Sequence, residues 1–259
     1  MKINTLIIGD VHGRDFWKEP VKETLNNSDS EIIFLGDLLD PYPTEWEKHF
    51  DYKAHAFENF KEILELKKAN PDRITLLLGN HDCSYAIGPQ ICDCRRDRAR
   101  YKEIEQIFEE NRNLFRLIED VKINGKTFIF SHAGISKKFI ESAIGNSDAM
   151  TIEDIKNIYN EAWIEDKYEI LNTLGEVDFY RGGWSSFASF VWSDIRTWVN
   201  VKTEDTYGFN IVGHTYCDSP IALDAIVDLD CRQAFYLDSE GKLRHYNNDE
   251  EVKKHKTRE

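Results

Sequence analysis

Short apolar runs rich in branched residues recur along the chain, and polar residues end each of them. Runs of this length without alternation are typical of strands that are buried on both faces. They predict β-strands at TLIIGD (5–10), EIIFLGD (31–37), ITLLLGNHD (74–82), KTFIFSHAG (126–134) and FNIVGHT (209–215).

The segments between these runs carry apolar residues at helical spacing. The clearest pattern predicts a helix over about 51–69, which ends before Asn70 and Pro71 because proline cannot continue a helix. Similar patterns predict helices over about 98–112 and about 151–171. Strands alternating with helices indicate the α/β class.

The end of the chain has a different pattern. From about 219 to 246, apolar runs are separated by turn residues, which predicts antiparallel hairpins. No internal repeat or obvious linker interrupts the chain, so we expect a single domain over 1–246. The charged stretch 247–259 is predicted to be a flexible tail.

Composition and charge narrow the function classes. The 259 residues include 33 basic and 47 acidic side chains, a formal net charge of −14. This field repels nucleic acid and anionic membranes, so both are disfavoured as partners, and a phosphorylated substrate would need a locally positive site. No apolar run reaches the ~18–20 residues of a membrane span. The opening MKINTLIIGDVHG favours a strand over a signal peptide.

The cysteines bear on the compartment. Five are scattered through the chain, and an odd, dispersed set predicts a reducing, cytoplasmic location. Cys92 and Cys94 would suit a separate metal site, but without a second pair the signal is weak and unrelated thiols are favoured.

The polar residues that end the predicted strands are all potential metal ligands or proton carriers. Carboxylate, imidazole and amide oxygen are the donors that bind manganese, iron, zinc or magnesium. Sites in open α/β sheets form at the carboxyl ends of strands, so these residues could converge. They are Asp10, His12, Asp37, Asp40, Asn80, His81, Asp82, His132 and His214.

Each of these motifs taken alone has an ordinary structural explanation. An Asp-x-His can be a capped turn, and a histidine beside a strand is more often a core or surface residue than a ligand. Their joint occurrence in the order GDVHG, GDLLD, GNHD, SHAG and GHT favours a functional site.

The ordered motifs resemble the calcineurin-like metallophosphoesterases, in the branch of the serine/threonine protein phosphatases and symmetrical diadenosine tetraphosphatases. They span positions 9 to 215, and VWSDIR (191–196) resembles a Trp-Ser-Asp stretch of that branch. The resemblance implies a layered α/β fold, with a central β-sandwich flanked by helices and a dimetal site at strand ends. It also implies two divalent cations, with manganese first and iron, zinc, magnesium or nickel as alternatives.

The resemblance further implies a role for each matching residue. A water molecule activated between the two cations would attack the phosphate ester. His81 would protonate the leaving oxygen and Asp40 would orient His81, although Asp40 could also be a turn residue before Pro41. The implied ligands are Asp10 and His12 for the first metal, Asp37 as the bridge, and Asn80, His132 and His214 for the second metal.

Pro41 is the main departure from the pattern. The protein phosphatases commonly have an arginine here, which binds the phosphate. Arg14, Arg196 and Arg181 are the candidates to replace it, and the first two lead because they adjoin motifs. Each of the three could equally be a surface arginine.

Two further features have two explanations each. The cluster CRRDRAR (94–100) is either a basic rim for an anionic substrate or a solvated helix start, and the second is favoured. The aromatic residues within 184–198 either line a groove or belong to the core.

These observations predict a dinuclear metallophosphoesterase. Its substrate would be a phosphoprotein (Ser/Thr) or a broad range of phosphomonoesters, with a dinucleoside polyphosphate as the alternative. A non-catalytic metal-binding scaffold is a distant alternative, disfavoured because every matched ligand position and His81 are present. A mononuclear hydrolase or a metal-storage protein also remains open. The sequence does not predict the oligomeric state.

Overall fold

The computed structural model describes residues 3–27, 30–45, 50–93 and 95–254, and in this part of the chain two β-sheets form the centre. The six-stranded sheet has the order β11 (Leu243–His245), β10 (Ala234–Asp238), β1 (Ile3–Ile8), β2 (Glu31–Phe34), β3 (Ile74–Leu77) and β4 (Phe115–Arg116). The five-stranded sheet has the order β5 (Glu119–Ile123), β6 (Lys126–Phe130), β7 (Phe209–Val212), β9 (Ile226–Asp228) and β8 (Ile221–Ala222).

Parallel pairing brings the functional ends of the strands together. Strands β1 to β4 run parallel to one another, and so do β6, β7 and β9. The carboxyl ends of parallel strands lie at one edge of a sheet, so the segments that follow β1, β2 and β3 meet there. Strand β10 pairs antiparallel with the other edge of β1.

The helices surround these sheets. They are α1 (Lys18–Asn27), α2 (Tyr52–Ala69), α3 (Asn80–Ala86), α4 (Tyr101–Glu110), α5 (Lys137–Ala143), α6 (Ile152–Glu165) and α7 (Tyr168–Asn172). Side chains cap three of their N-termini: Asp51 for α2, Ser136 for α5, and Thr151 with Asp154 for α6.

Two large apolar layers lie on the two faces of the six-stranded sheet. One lies between the sheets, where Ile7, Ile33 and Leu77 of the first sheet pack with Phe130 and Ile211 of the second. The other lies between the outer face of the first sheet and the helices. It includes the buried residues Leu6, Phe34, Leu76, Phe60, Phe108, Tyr159 and Trp163. The fold is therefore a β-sandwich flanked by helices, as expected.

The predicted elements are present with shorter bounds. Each of the five predicted strands exists, but β1 ends at Ile8 and β3 at Leu77, so the motif residues lie in the loops that follow. The single helix predicted over 151–171 is wrong. Asp166 adopts a φ of 55° and the N–H of Lys167 bonds to Ala162 O, so α6 ends there and α7 starts anew.

The predicted hairpins over 219–246 are confirmed, but they belong to different sheets. Strands β8 and β9 pair in the second sheet and β10 and β11 in the first. Within the predicted tail, the N–H of Val252 bonds to Leu243 O and Lys254 pairs with Asp224 at 2.8 Å. Residues 255–259 lie outside the described part of the chain, and both the tail and the single domain stay predictions.

Two other expectations concern surroundings. None of the described cysteines, Cys83, Cys92, Cys217 and Cys231, is in a disulfide; Cys94 lies outside the described residues. The cytoplasmic location stays a prediction. Among the described residues, no helix is both long and apolar enough to cross a membrane.

Candidate metal site

The loops that carry the predicted ligands have unusual backbone geometry. His12, Asp37, Asp40 and His214 have positive φ angles of 45°, 49°, 58° and 78°. Non-glycine residues rarely adopt this region, and those that do cluster at functional sites where the surrounding structure holds them.

Close packing of two loops explains part of this constraint. A Cβ on Gly36 would lie 2.4 Å from Gly79 N, and a Cβ on Gly79 would lie 2.1 Å from Asp37 Oδ1. The GDLLD and GNHD loops therefore touch through their backbones, and the N–H of His81 donates to Asp37 Oδ1 at 2.9 Å.

Asp10, His12 and Asp37 form a first group of possible ligands. His12 Nε2 lies 3.4 Å from Asp37 Oδ2 and 3.9 Å from Asp10 Oδ2. His12 Nδ1 donates to Leu39 O at 2.8 Å, which leaves Nε2 as the atom that can bind a cation. All three side chains are buried.

Asn80, His132 and His214 form a second group. Asn80 Oδ1, His132 Nε2 and His214 Nδ1 lie 3.0 to 3.1 Å from one another. Asp37 Oδ2 lies 3.5 Å from His132 Nε2, so this carboxylate adjoins both groups. His132 Nδ1 donates to Leu35 O at 2.9 Å, which turns Nε2 toward the group.

The geometry of the second group fits a divalent cation. Asn80 Oδ1 and the unprotonated ring nitrogens of His132 and His214 each offer a lone pair, and such atoms repel unless a cation or a proton lies between them. Ligands bonded at ~2.1 Å in neighbouring positions around a metal lie about 3 Å apart, which is the spacing observed. In addition, His214 Nε2 and Asp230 Oδ1 are buried without hydrogen-bond partners among the described residues.

Electrostatics within this ligand cluster (Asp10, His12, Asp37, Asn80, His132 and His214) point the same way. Burial lowers the pKa of His132, but the carboxylates of Asp37 and Asp10 outweigh this and raise it to about 10. Burial raises the pKa of Asp10 to about 6, with His132 opposing. Without a metal ion, a proton on His132 therefore offsets the negative charge of the carboxylates, and a bound cation would offset the same charge.

His81 and Asp40 form a hydrogen-bonded pair beside the cluster. Asp40 Oδ2 lies 2.9 Å from His81 Nδ1, and Tyr85 donates to Asp40 Oδ1 at 2.6 Å. The N–H of Asp97 donates to the Tyr85 hydroxyl at 2.6 Å. The ring of His81 lies 5.2 Å from that of His12. Asp40 is thus fixed on both oxygens, as an orienting carboxylate requires.

Asp82 has a positioning role that the sequence did not reveal. Its carboxylate accepts hydrogen bonds from the N–H groups of Leu38 and Gly79, both at 3.0 Å, and so ties the GDLLD loop to the GNHD loop. Burial, followed by the charge of Asp37, raises the pKa of Asp82 to about 7. Cys92 has a comparable role: its sulfur accepts from Asn80 Nδ2 at 3.7 Å and directs Asn80 Oδ1 toward the histidines.

Of the three predicted arginines, two adjoin the ligand cluster and one does not. Arg14 donates weakly to Asp10 O, at 3.4 Å, and Arg181 donates to His214 O at 3.1 Å, so both adjoin the cluster. Arg196 instead pairs with Asp194 at 2.7 Å, donates to the carbonyl of Tyr180 and is 56% exposed. Adjacency to a motif therefore did not place Arg196 at the cluster.

Arg95 adjoins the cluster but was missed. Its Nη2 lies 2.9 Å from His81 Nε2, and its Nε donates to Asp40 O at 3.2 Å. The favoured explanation of 94–100 as a solvated helix start is wrong for 95–97, because α4 begins only at Tyr101 and these residues pack against the site. The available signal was the run of arginines itself.

The aromatic residues of 184–198 lie in different environments, and their role in a groove stays a prediction. Phe190 and Trp198 are buried in the core. Trp192 packs edge-on against His214 with ring centres 5.6 Å apart, and its indole N–H donates to Ile91 O. Trp184 is 98% exposed.

Comparison with known proteins identifies relatives of this chain. The sequence profile of the calcineurin-like phosphoesterase family matches residues 3–218. A probable serine/threonine-protein phosphatase of Encephalitozoon cuniculi is 28% identical over 139 residues. That match covers 50% of this chain and only 26% of the relative, so the chain spans about a quarter of that protein.

Solved structures show the same fold. A cold-active protein tyrosine phosphatase is similar with a TM-score of 0.59 and 17% identity, covering 95% of this chain and 79% of that chain. A serine/threonine phosphatase from Saccharomyces cerevisiae is similar with a TM-score of 0.50 and 14% identity, covering 91% of this chain and 73% of that chain. At these identities the likeness is one of fold.

Proposed function

Because the chain belongs to the calcineurin-like phosphoesterase family, we propose that it is a metal-dependent phosphomonoesterase acting on phosphorylated serine or threonine side chains. The observation that carries this proposal is the His81–Asp40 pair, held beside the ligand cluster with 2.9 Å between Nδ1 and Oδ2. A site that only stores metal has no use for an oriented proton donor. The partial match to a probable serine/threonine-protein phosphatase supports the choice of substrate.

The two groups of ligands support two cations that share Asp37. Asp10 and His12 would hold the first ion, and Asn80, His132 and His214 the second. When bound, such ions lower the pKa of water and neutralise phosphoryl oxygens as Lewis acids. The chain itself keeps the ligands aimed, through hydrogen bonds from His12 to Leu39 O and from His132 to Leu35 O.

His81 supplies the proton that the leaving oxygen requires. Its Nδ1 faces Asp40, so Nε2 is the atom that can donate to a substrate. In this structure Nε2 accepts a hydrogen bond from Arg95, so the ring must take up a proton from solvent before it can donate, and the Asp40 carboxylate stabilises that doubly protonated form. Tyr85 fixes the second oxygen of Asp40, and this keeps the imidazole in one orientation.

Phosphate release tests the proposal directly. Chelator-stripped protein is reconstituted with manganese, and its metal content is counted per chain. A phosphothreonine peptide and diadenosine tetraphosphate are then assayed in parallel. We expect two ions per chain and preference for the peptide.

The alternatives give different results in this assay. Preference for the dinucleotide would replace the phosphoprotein assignment with a dinucleoside polyphosphate hydrolase. One ion per chain would refute the two-metal mechanism. Full metal content with no turnover of either substrate would favour the scaffold.

A further inference from the structure

Arg95 has a position in the site that its place in the sequence does not suggest. Its guanidinium lies over the ring of Tyr42 at 3.7 Å from the centroid, and its Nε donates to Asp40 O at 3.2 Å. Stacking and a backbone hydrogen bond together hold the planar group against the GDLLD loop.

The backbone of this segment is also fixed. Arg95 has a φ of 54°, and Lys53 of α2 donates to the carbonyls of Arg95 and Arg96 at 3.2 and 2.8 Å. The guanidinium of Arg96, the residue after Arg95, stacks on the ring of Tyr101 at 4.1 Å from its centre, and this contact fixes Arg96 in place. An irregular segment held at several points is suited to presenting one side chain at a site.

The chain carries a net charge of −14, so a cationic side chain beside the metal ligands would favour binding of a phosphate ester. Arginine binds phosphate best, since its planar fork can donate two parallel charge-assisted hydrogen bonds. Pro41, which directly follows Asp40, has no such group. Arg95 approaches the same Asp40 from a segment more than fifty residues further along the chain.

We propose that Arg95 binds the phosphoryl group of the substrate, a role that rests on the proposed phosphomonoesterase function. The leaving oxygen must lie within about 3 Å of His81 Nε2 to receive a proton, and Arg95 Nη2 lies 2.9 Å from that atom. The guanidinium and the leaving oxygen cannot share this position. When substrate binds, Arg95 therefore gives up its contact with His81 and donates hydrogen bonds to the phosphoryl oxygens. These hydrogen bonds are stronger because both partners are charged.

Two of the three arginines predicted from the sequence are engaged by a carboxylate. Arg181 is engaged by Asp194, at 2.7 Å, and by Thr215. Arg196 is engaged by the same carboxylate. Arg14 also adjoins the cluster, with its guanidinium carbon 5.8 Å from the Tyr42 centroid, and is the alternative that the experiment must separate from Arg95.

Binding of inorganic phosphate to the manganese-loaded protein tests the role without turnover. Arg95→Ala, Arg95→Lys, Arg14→Ala and Arg196→Ala are titrated by calorimetry, after melting temperature and metal content confirm that each variant is folded and loaded. We expect Arg95→Ala to weaken phosphate binding by about 10- to 100-fold. Arg95→Lys should recover part of the loss, and Arg196→Ala should bind like the unmodified protein.

Steady-state kinetics add a second readout. Because a two-pronged contact favours a dianionic phosphate, Arg95→Ala should lower kcat/KM more for a phosphothreonine peptide than for the diester bis(4-nitrophenyl) phosphate. Unchanged phosphate affinity in Arg95→Ala would overturn the proposal, as would a loss in Arg14→Ala alone. If the unmodified protein binds phosphate through Arg95 but hydrolyses no ester, the proposed function fails while this assignment stands.

Discussion

The ligand cluster and the 95–97 segment beside it contribute to one site but are built differently. Each cluster residue lies at or shortly after a strand of a buried sheet or, for Asn80, at the start of a helix. Residues 95–97 belong to neither strand nor helix, and Lys53 and Tyr85 hold them through hydrogen bonds. Strand-borne groups are placed by the sheet, whereas groups on irregular segments are placed by a few long-range contacts.

The largest effect is expected from replacing Asp37, the residue that belongs to both ligand groups. Asp37→Asn takes the charge from the carboxylate that adjoins both ligand groups. We expect the variant to hold less than one ion per chain by elemental analysis and to lose detectable turnover. Retention of two ions would contradict the assignment of Asp37 as the bridge.

His81→Asn separates proton transfer from metal binding within the same region. General acid catalysis typically contributes about 10²- to 10⁴-fold, so kcat should fall by that order. Metal content should stay at the level of the unmodified protein, because His81 is not assigned as a metal ligand. Loss of both ions would refute that separation.

The cluster should also respond to pH, unlike the arginine beside it. The pKa of His132, at about 10, means that this ring carries a proton below that pH, and a cation must displace it. Apparent metal affinity should therefore rise by about tenfold per pH unit across neutral pH, with release of about one proton per chain. Calorimetry in buffers of different ionisation enthalpy measures this, and a flat profile would count against the assignment.

Tyr85→Phe tests the link between the two regions, since this hydroxyl joins Asp40 to the N–H of Asp97. We expect kcat to fall by less than about tenfold, because the orientation of His81 suffers. KM should rise by less than about threefold, because Lys53 still donates to the carbonyls of Arg95 and Arg96 and so keeps Arg95 near the site. Stability should fall by about 1–3 kcal/mol because the N–H of Asp97 loses its partner. An unchanged kcat in a folded variant would mean that Asp40 needs no such support.

The smallest effect is expected outside both regions. Trp184 is 98% exposed, so Trp184→Ala should change the free energy of unfolding by less than about 0.5 kcal/mol. KM for the phosphothreonine peptide should change by less than about threefold. A tenfold rise would show that substrate binding extends to this aromatic residue.

The sequence predicted the strand-borne part of the molecule well. GDVHG, GDLLD, GNHD, SHAG and GHT each follow an apolar run, and the structure brings their polar residues together. Strand β5 was missed although Asn124-Gly125 is a turn signal for a hairpin with β6, because its alternation is weak.

Features set by long-range contacts could not be predicted. The helix break at Asp166 depends on a left-handed backbone conformation, which aspartate adopts only in some contexts. Arg196 adjoins a motif yet pairs with Asp194, whereas Arg95 lies in a segment with no periodic pattern. Nothing in the local sequence distinguishes an arginine aimed at His81 from one aimed at solvent.

The ligand cluster joins residues from opposite ends of the motif series, and this sets an order for biosynthesis. The N–H of His214 donates to Asp10 Oδ1 across 204 positions of the chain. At roughly 5–20 residues per second, a ribosome adds that many residues in about 10 to 40 seconds. For most of that interval the nascent chain contains Asp10, His12 and Asp37 but lacks His214. The hydrogen bond that fixes Asp10 cannot form until His214 has been synthesised, so the first ligand group reaches its final geometry only late in synthesis.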